Sequence, residues 1–258
     1  MILDYMTYEE YMGKLFRMSF NGVDLNDYLA EYSSYLYVQE VTGRSLSPSD
    51  IQATTLANGN YRFKRRTKTP VPLGVKAILI TPSDKDLRHV LNALNGVFDT
   101  KEPAPITFSD EPEFTHYGML NTISEGTEVN GAHIITMTFW KEEANKSKSD
   151  IELTVTPTFE TFTIQGQTEQ PWTSKTTFTA ANNQYTLETN TGGKILLNYN
   201  FIAGDVLVID YKKRKVTLNG NNLAVAVSLS TNWFDLSPGV IQMKATHETL
   251  LTYTEKYY

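Results

Sequence analysis

The sequence predicts a mainly β protein made of two domains, an N-terminal β-domain with one or two short helices and a C-terminal β-sandwich. Three observations carry this reading. Fifteen Tyr and twelve Phe, with abundant Thr, favour half-buried pleated strands over helices. Beyond residue 150 there are roughly ten short strand-like runs with turn signals every 8–12 residues, the pattern of a sandwich or barrel. Helical spacing, by contrast, occurs in two places only.

The elements follow in order. Thr7-x-x-Glu10 has capping-box form, and Tyr8, Tyr11, Met12, Leu15 and Phe16 share one helical face, so a short helix is expected over residues 8–16. Asn21-Gly22 signals a hairpin turn. Residues 46–75 are rich in turn formers and suggest a strand pair with long loops, followed by a strand at 75–80. A second helix is predicted near 84–95: Ser83-x-x-Asp86 caps it, Leu87, Val90, Leu91 and Leu94 form its apolar face, and Gly96 stands where a terminating glycine is expected. A lone long helix among strands must lay that face on a sheet. Strand, turn and strand are expected over 105–120, and in the strand 133–140 Ile135, Met137 and Phe139 point one way, Thr136 and Thr138 the other. Lys141 to Asp150 is polar, charged and lacks large apolar residues, which makes it the best linker candidate and divides the chain into domains 1–142 and 143–258.

Composition excludes several function classes. The 258 residues are enough for a sizeable core. A net charge of −6 argues against a general nucleic-acid binder. The absence of cysteine rules out disulfides, thiolate metal sites and thiol catalysis. The N-terminus shows no basic region followed by an apolar one, and no apolar run approaches the roughly 18 residues of a membrane span.

The candidates for chemistry are few. His89, His116, His133 and His247 stand in no ligand-like spacing, so no metal site is expected. Asp110-Glu111 before Pro112 reads as turn chemistry, and Asp205 and Asp210 bracket a strand. No phosphate loop, dinucleotide fingerprint, nucleophile elbow or calcium loop is present. Gly192-Gly193 reads as a turn between strands. Two basic runs, 64–68 and 212–215, are solvated loops or partner-facing patches, the first flanked by Tyr61 and Phe63. Trp172 is a candidate sugar-stacking platform, whereas Trp233-Phe234 with Leu236 suggests core and turn. No catalytic, cofactor-binding or metal-ligating residue emerges, and the chain is expected not to be an enzyme.

One ordered set of motifs remains. Gly204-Asp205, an apolar run ending at Asp210, a basic tip, Val216-x-Leu218-Asn219-Gly220, then Trp233-Phe234-x-Leu236-x-Pro238-Gly239, resembles the distal tail protein family (Dit) of long non-contractile-tailed bacteriophages. "MSFNGVDLNDYL", "PITFSDEPEFTHYG" and the terminal "TYTEKYY" are similar to other segments of that family. The resemblance covers most of the chain.

It implies a galectin-like fold for the C-terminal sandwich, and leaves open whether the final strand returns to the N-terminal domain. It implies a hexameric ring at the distal end of the tail, made in the host bacterial cytoplasm and joining the tail tube protein to a tail-associated lysin or a tail fibre or receptor-binding protein. Neither sequence-specific nucleic acid nor a membrane is an expected partner. The galactoside-binding residue groups of galectins are not visible, so sugar binding does not follow from the fold. Two rival readings stay open: a carbohydrate-binding module that attaches the tail to cell-wall glycan through Trp172, and a wall hydrolase, which lacks a visible acid–base pair. Within the ring reading, the N-terminal domain is expected to carry the contacts, because its turn-rich stretches hold Tyr28, Tyr32, Tyr35, Tyr37, Tyr61 and Phe63.

Overall fold

The computed structural model describes residues 16–44 and 46–258. The helix expected at 8–16 lies, except for Phe16, outside the described residues. The chain divides into two compact units, one ending at Lys146 and including Tyr258, the other spanning Ser147–Tyr257. The fold is mainly β, with nineteen strands and two α-helices among the described residues.

The first unit is built on a seven-stranded antiparallel sheet. Its strands are β1 (Met18–Phe20), β2 (Val23–Asp24), β3 (Tyr35–Thr42), β6 (Leu73–Ile80), β7 (Ala104–Phe108), β8 (His116–Val129) and β9 (Ala132–Lys141). They lie in the order β2-β1-β7-β8-β9-β6-β3. Alternation sets the buried face: His133, Ile135, Met137 and Phe139 of β9 point inward, as do Leu73, Val75, Ala77 and Leu79 of β6. Against them pack Leu87, Val90, Leu94 and Phe98 of helix α2 (Asp84–Phe98). Ser83 caps α2 through its side chain, as its sequence predicts. The helix does not stop at Gly96, however. It runs on to Phe98, because burying that ring against Phe20 and Phe139 favours one more half-turn.

A shorter helix, α1 (Leu25–Ala30), occupies a stretch the sequence suggests is a turn. The Asp24 carboxylate accepts from the Asn26 and Asp27 amides at 2.9 and 3.1 Å, which satisfies two of the donors exposed at a helix start. Strands β4 (Ser49–Thr55) and β5 (Tyr61–Lys68) form a separate two-stranded hairpin around Asn58-Gly59.

The second unit is a sandwich. One sheet has the order β10-β19-β12-β15-β16-β17 and the other β11-β18-β13-β14. Its strands are β10 (Lys146–Val155), β11 (Glu160–Ile164), β12 (Trp172–Thr177), β13 (Asn182–Thr189), β14 (Lys194–Phe201), β15 (Val206–Asp210), β16 (Lys215–Leu218), β17 (Asn221–Asn222), β18 (Gly239–Ala245) and β19 (Thr249–Tyr257). Both sheets contribute to one core, with Trp172, Ile209 and Leu251 from the first and Tyr185, Leu197 and Met243 from the second. Phe178 and Phe201 stack at 4.2 Å inside it.

One expectation needs correction here. Residues 146–150 are the start of β10 rather than linker, because β19 offers them a ladder partner that composition does not reveal. The last strand, β19, lies within the second unit's sheet, between β10 and β12. The hairpin β15–β16 is as the sequence suggests: Leu207 pairs with Leu218 and Ile209 with Val216, all four buried, while Val208 faces outward. Asn219 (φ 50°) and Gly220 (φ 82°) supply the paired positive φ angles of the turn that follows.

Candidate assembly surfaces

Of the residues singled out for chemistry, only His116 and the Asp110-Glu111 turn come together. Among the described residues no group of three or more His, Asp or Glu side chains is placed to hold a metal ion. His89 is exposed on α2. His133 is buried on β9. His247 packs on Phe178 at 4.7 Å and its Nε2 meets Asn182 Nδ2 at 3.2 Å.

His116 belongs to an ion-pair network around the Asp110-Glu111-Pro112 turn. The Arg44 guanidinium forks onto Asp110 at 2.8 and 2.9 Å and lies 4.8 Å over the Phe108 ring. Glu111 receives Lys146 Nζ at 2.5 Å and sits 3.3 Å from His116 Nε2. The hydrogen bond from Arg44 holds the Asp110 carboxyl below its ordinary range. Burial alone would raise Glu111, but Lys146 and His116 outweigh it and its pKa is lowered. Burial pushes the imidazole of His116 down to about 4, against the pull of Glu111 and with the help of Lys141 and Lys146. Every carboxylate here is already spoken for. The network ties two loops together and leaves no free base.

Trp172 is not a platform. It is 2% exposed on the inward face of β12. Its ring lies 5.1 Å from Phe234 and 5.7 Å from Tyr211, and its Nε1 donates to the Phe234 carbonyl at 2.8 Å. A buried indole needs such an acceptor, and Phe234 supplies it. The Phe234 ring in turn rests on Gly193, where an added Cβ would sit 2.5 Å from it. So Gly193 and the Trp233-Phe234-x-Leu236 motif are parts of one packing arrangement. At the β15–β16 tip, Arg214 lies 4.0 Å over Tyr211 and 4.8 Å over Trp233, while Tyr211 donates to Asp235 at 2.7 Å.

The N-terminal aromatics separate into two groups. Tyr28 and Tyr32 pack partly buried against the unit's own core, with ring centroids 5.9 Å apart. Tyr35 and Tyr37 alternate with buried Leu36 and Val38 along β3. Tyr28 and Tyr32 thus cover the core of their own unit, whereas Tyr35 and Tyr37 lie half-buried on the face of β3 opposite Leu36 and Val38. Tyr61 and Phe63 differ. They stand 67% and 71% exposed on β5, opposite Thr55 and Ala53. Ile51 on β4 is 51% exposed. Arg62 and Lys64 alternate with the aromatics along β5, and Arg66 follows. A two-stranded hairpin has marginal stability alone in water, and its open edges invite pairing. This arm exposes both an apolar face and strand edges.

Comparison with known proteins now bears on what these surfaces serve. Residues 165–257 match the model for the siphovirus-type tail component, C-terminal domain. Over 259 aligned positions the chain is 30% identical to the distal tail protein of Bacillus phage SPP1, covering 98% of this chain and all of that one.

The chain belongs to the distal tail protein family.

The crystal structure of that SPP1 protein, described as a paradigm of the hub adsorption apparatus in phages infecting Gram-positive hosts, aligns with a TM-score of 0.84 at 26% identity over 95% of this chain and all of that one. The baseplate of phage P2 in its activated conformation with calcium contains a chain that aligns with a TM-score of 0.56 at 10% identity, over 93% of this chain and 97% of that one, which shows a shared fold. This distal tail protein is thus a siphophage tail component, and the ordered Gly204–Gly239 motifs that suggested the family are the turn, strand and packing residues of its second unit.

Proposed function

We propose that this distal tail protein is a structural hub subunit of the virion. Six copies form a ring at the distal end of the tail and join the tail tube to the host-adsorption apparatus, with a lysin or a fibre protein on the far side. The first unit carries the ring contacts, and the β4–β5 arm reaches onto the neighbouring copy. The family and its hub relative support the role. The observation that carries the assignment of contacts is the arm, whose Tyr61 and Phe63 are about two-thirds exposed. A ring needs heterologous contacts, one patch on a different patch of the next copy, and a projecting arm suits that geometry. A stable contact of this kind buries more than roughly 1,000 Å². Catalysis is no part of the reading: where His116 meets Glu111, the neighbouring carboxylates are already engaged by Lys146 and Arg44.

Light scattering on the purified full-length chain tests it. The wild type is expected to show the mass of six copies, and the double variant Tyr61→Ser/Phe63→Ser to stay folded by circular dichroism but fall to single copies. A wild-type mass in the variant would remove the arm from the interface.

A further inference from the structure

We propose that the second unit carries a site for a neutral, hydroxyl-rich ligand, a short glycan, in a hollow lined by side-chain amides around Tyr199. The inference is independent of the ring reading. Two adjoining hollows, with cavity volumes of about 490 and 300 Å³, share Tyr199 and Asn200. Asn183 and Asn198 also line the first, Ile202 and Asn221 the second. Both are open depressions in the surface rather than enclosed clefts, with room for a short ligand lying against the sheet edge. They lie where β14, the last strand of one sheet, comes beside β17, the last strand of the other.

Three features set this surface apart from ordinary turn chemistry. Asn is disfavoured inside strands, yet Asn183, Asn198 and Asn200 all occupy the β13–β14 pair. Their amides are largely unspent. Asn183, Asn200 and Asn221 make no side-chain hydrogen bond among the described residues, and Asn198 uses only its Oδ1, which accepts from Gln184 Nε2 at 3.0 Å. By contrast, Asn219 is committed to the fold: its Nδ2 donates to Asp205 at 2.8 Å and its Oδ1 accepts from the Val206 amide at 2.9 Å. Finally, Tyr199 is held rather than loose. Its ring meets Phe201 edge-on at 5.3 Å, and Phe201 is itself stacked in the core on Phe178, while the Tyr199 residue remains 41% exposed.

This chemistry selects a ligand class. A planar amide offers two donors and two acceptor lone pairs, which suits adjacent hydroxyls. A fixed aromatic face gives the apolar side of a sugar ring a platform at little entropic cost. Charge is absent: Asp205, the one charged residue lining either hollow, is 7% exposed and occupied by Asn219 and the Ile202 amide. An anionic ligand would find no cation here, and a cationic one no free carboxylate.

Saturation-transfer NMR on the full-length chain tests the proposal, with maltotriose, galactotriose and triacetylchitotriose as probes and glycerol 3-phosphate as the charged comparison. Transfer to the ring protons of at least one neutral trisaccharide is expected. Tyr199→Ala and Asn200→Ala should each weaken it by about tenfold, the loss of one well-placed contact, while Tyr199→Phe keeps it. Asn200 is exposed, so its variant remains informative if Tyr199→Ala disturbs packing on Phe201. Absence of transfer to all three trisaccharides, as expected if the patch is covered by a protein partner instead, overturns the proposal. So does a preference for glycerol 3-phosphate, or binding unchanged in both alanine variants.

Discussion

Removing the Thr249 hydroxyl should destabilise the sandwich about twice as much as removing that of Tyr185, although both residues are fully buried and Tyr185 is the larger. The two sheets are linked across their core by three hydroxyls. Thr176 Oγ1 lies 3.2 Å from Tyr185 Oη and 2.8 Å from Thr249 Oγ1, and Tyr185 Oη lies 2.9 Å from Thr249 Oγ1. Thr249 also donates to the His247 carbonyl at 2.9 Å. A consistent proton order follows: Thr176 to Tyr185, Tyr185 to Thr249, Thr249 to His247. Each hydroxyl then donates once.

In Tyr185→Phe, Thr176 can turn its proton to Thr249 at 2.8 Å. Nothing buried is left unpaired, and the cost is that of one net hydrogen bond, about 1 kcal/mol. In Thr249→Val the shape is nearly kept, but the His247 carbonyl loses this donor, and Thr176 and Tyr185 are left with one hydrogen bond between two protons. One buried donor is orphaned, which raises the cost to about 2–3 kcal/mol. Urea unfolding followed by tryptophan fluorescence is the assay, since Trp172 is buried in the same core. The midpoint should fall further for Thr249→Val with the slope unchanged. Equal costs, or a larger cost for Tyr185→Phe, would refute the proton order and the argument built on it.

Two further outcomes are expected. Gly96→Ala should stabilise the first unit by about 0.5–1 kcal/mol, because Gly96 lies inside α2 and an added Cβ would meet nothing within 4 Å; a lowered melting temperature would contradict its helical placement. Stability of the first unit should also decline between pH 6.5 and 5. Native His116 binds its proton only near pH 4, whereas the unfolded residue binds it near 6.5, so the unfolded chain takes up the proton first as pH falls. The loss amounts to about 2 kcal/mol by pH 5, and His116→Gln should flatten the slope of denaturation midpoint against pH over that window.

The sequence by itself determined the elements whose signals are local. The Ser83 cap started α2 where it was expected, the alternation in 133–139 faced its apolar residues inward, and Asn219-Gly220 turned the chain after β16. Family membership was legible for the same reason: the Gly204–Gly239 motifs are turn and packing residues whose identities their own backbone and near neighbours dictate. Tertiary structure decided what depends on distant partners. Whether α2 stopped at Gly96 was set by the room for Phe98 beside Phe20 and Phe139, two rings remote in sequence. Whether Trp172 faced ligand or core was set by the Phe234 carbonyl 62 residues away. Composition could not separate Tyr28 and Tyr32, which cover their own core, from Tyr61 and Phe63, which stand about two-thirds exposed, because an aromatic in a polar stretch reads alike in both. The amide hollow was invisible for a related reason. Asn183, Asn200 and Asn221 gain a common ligand-facing surface only when the edges of two different sheets are brought side by side.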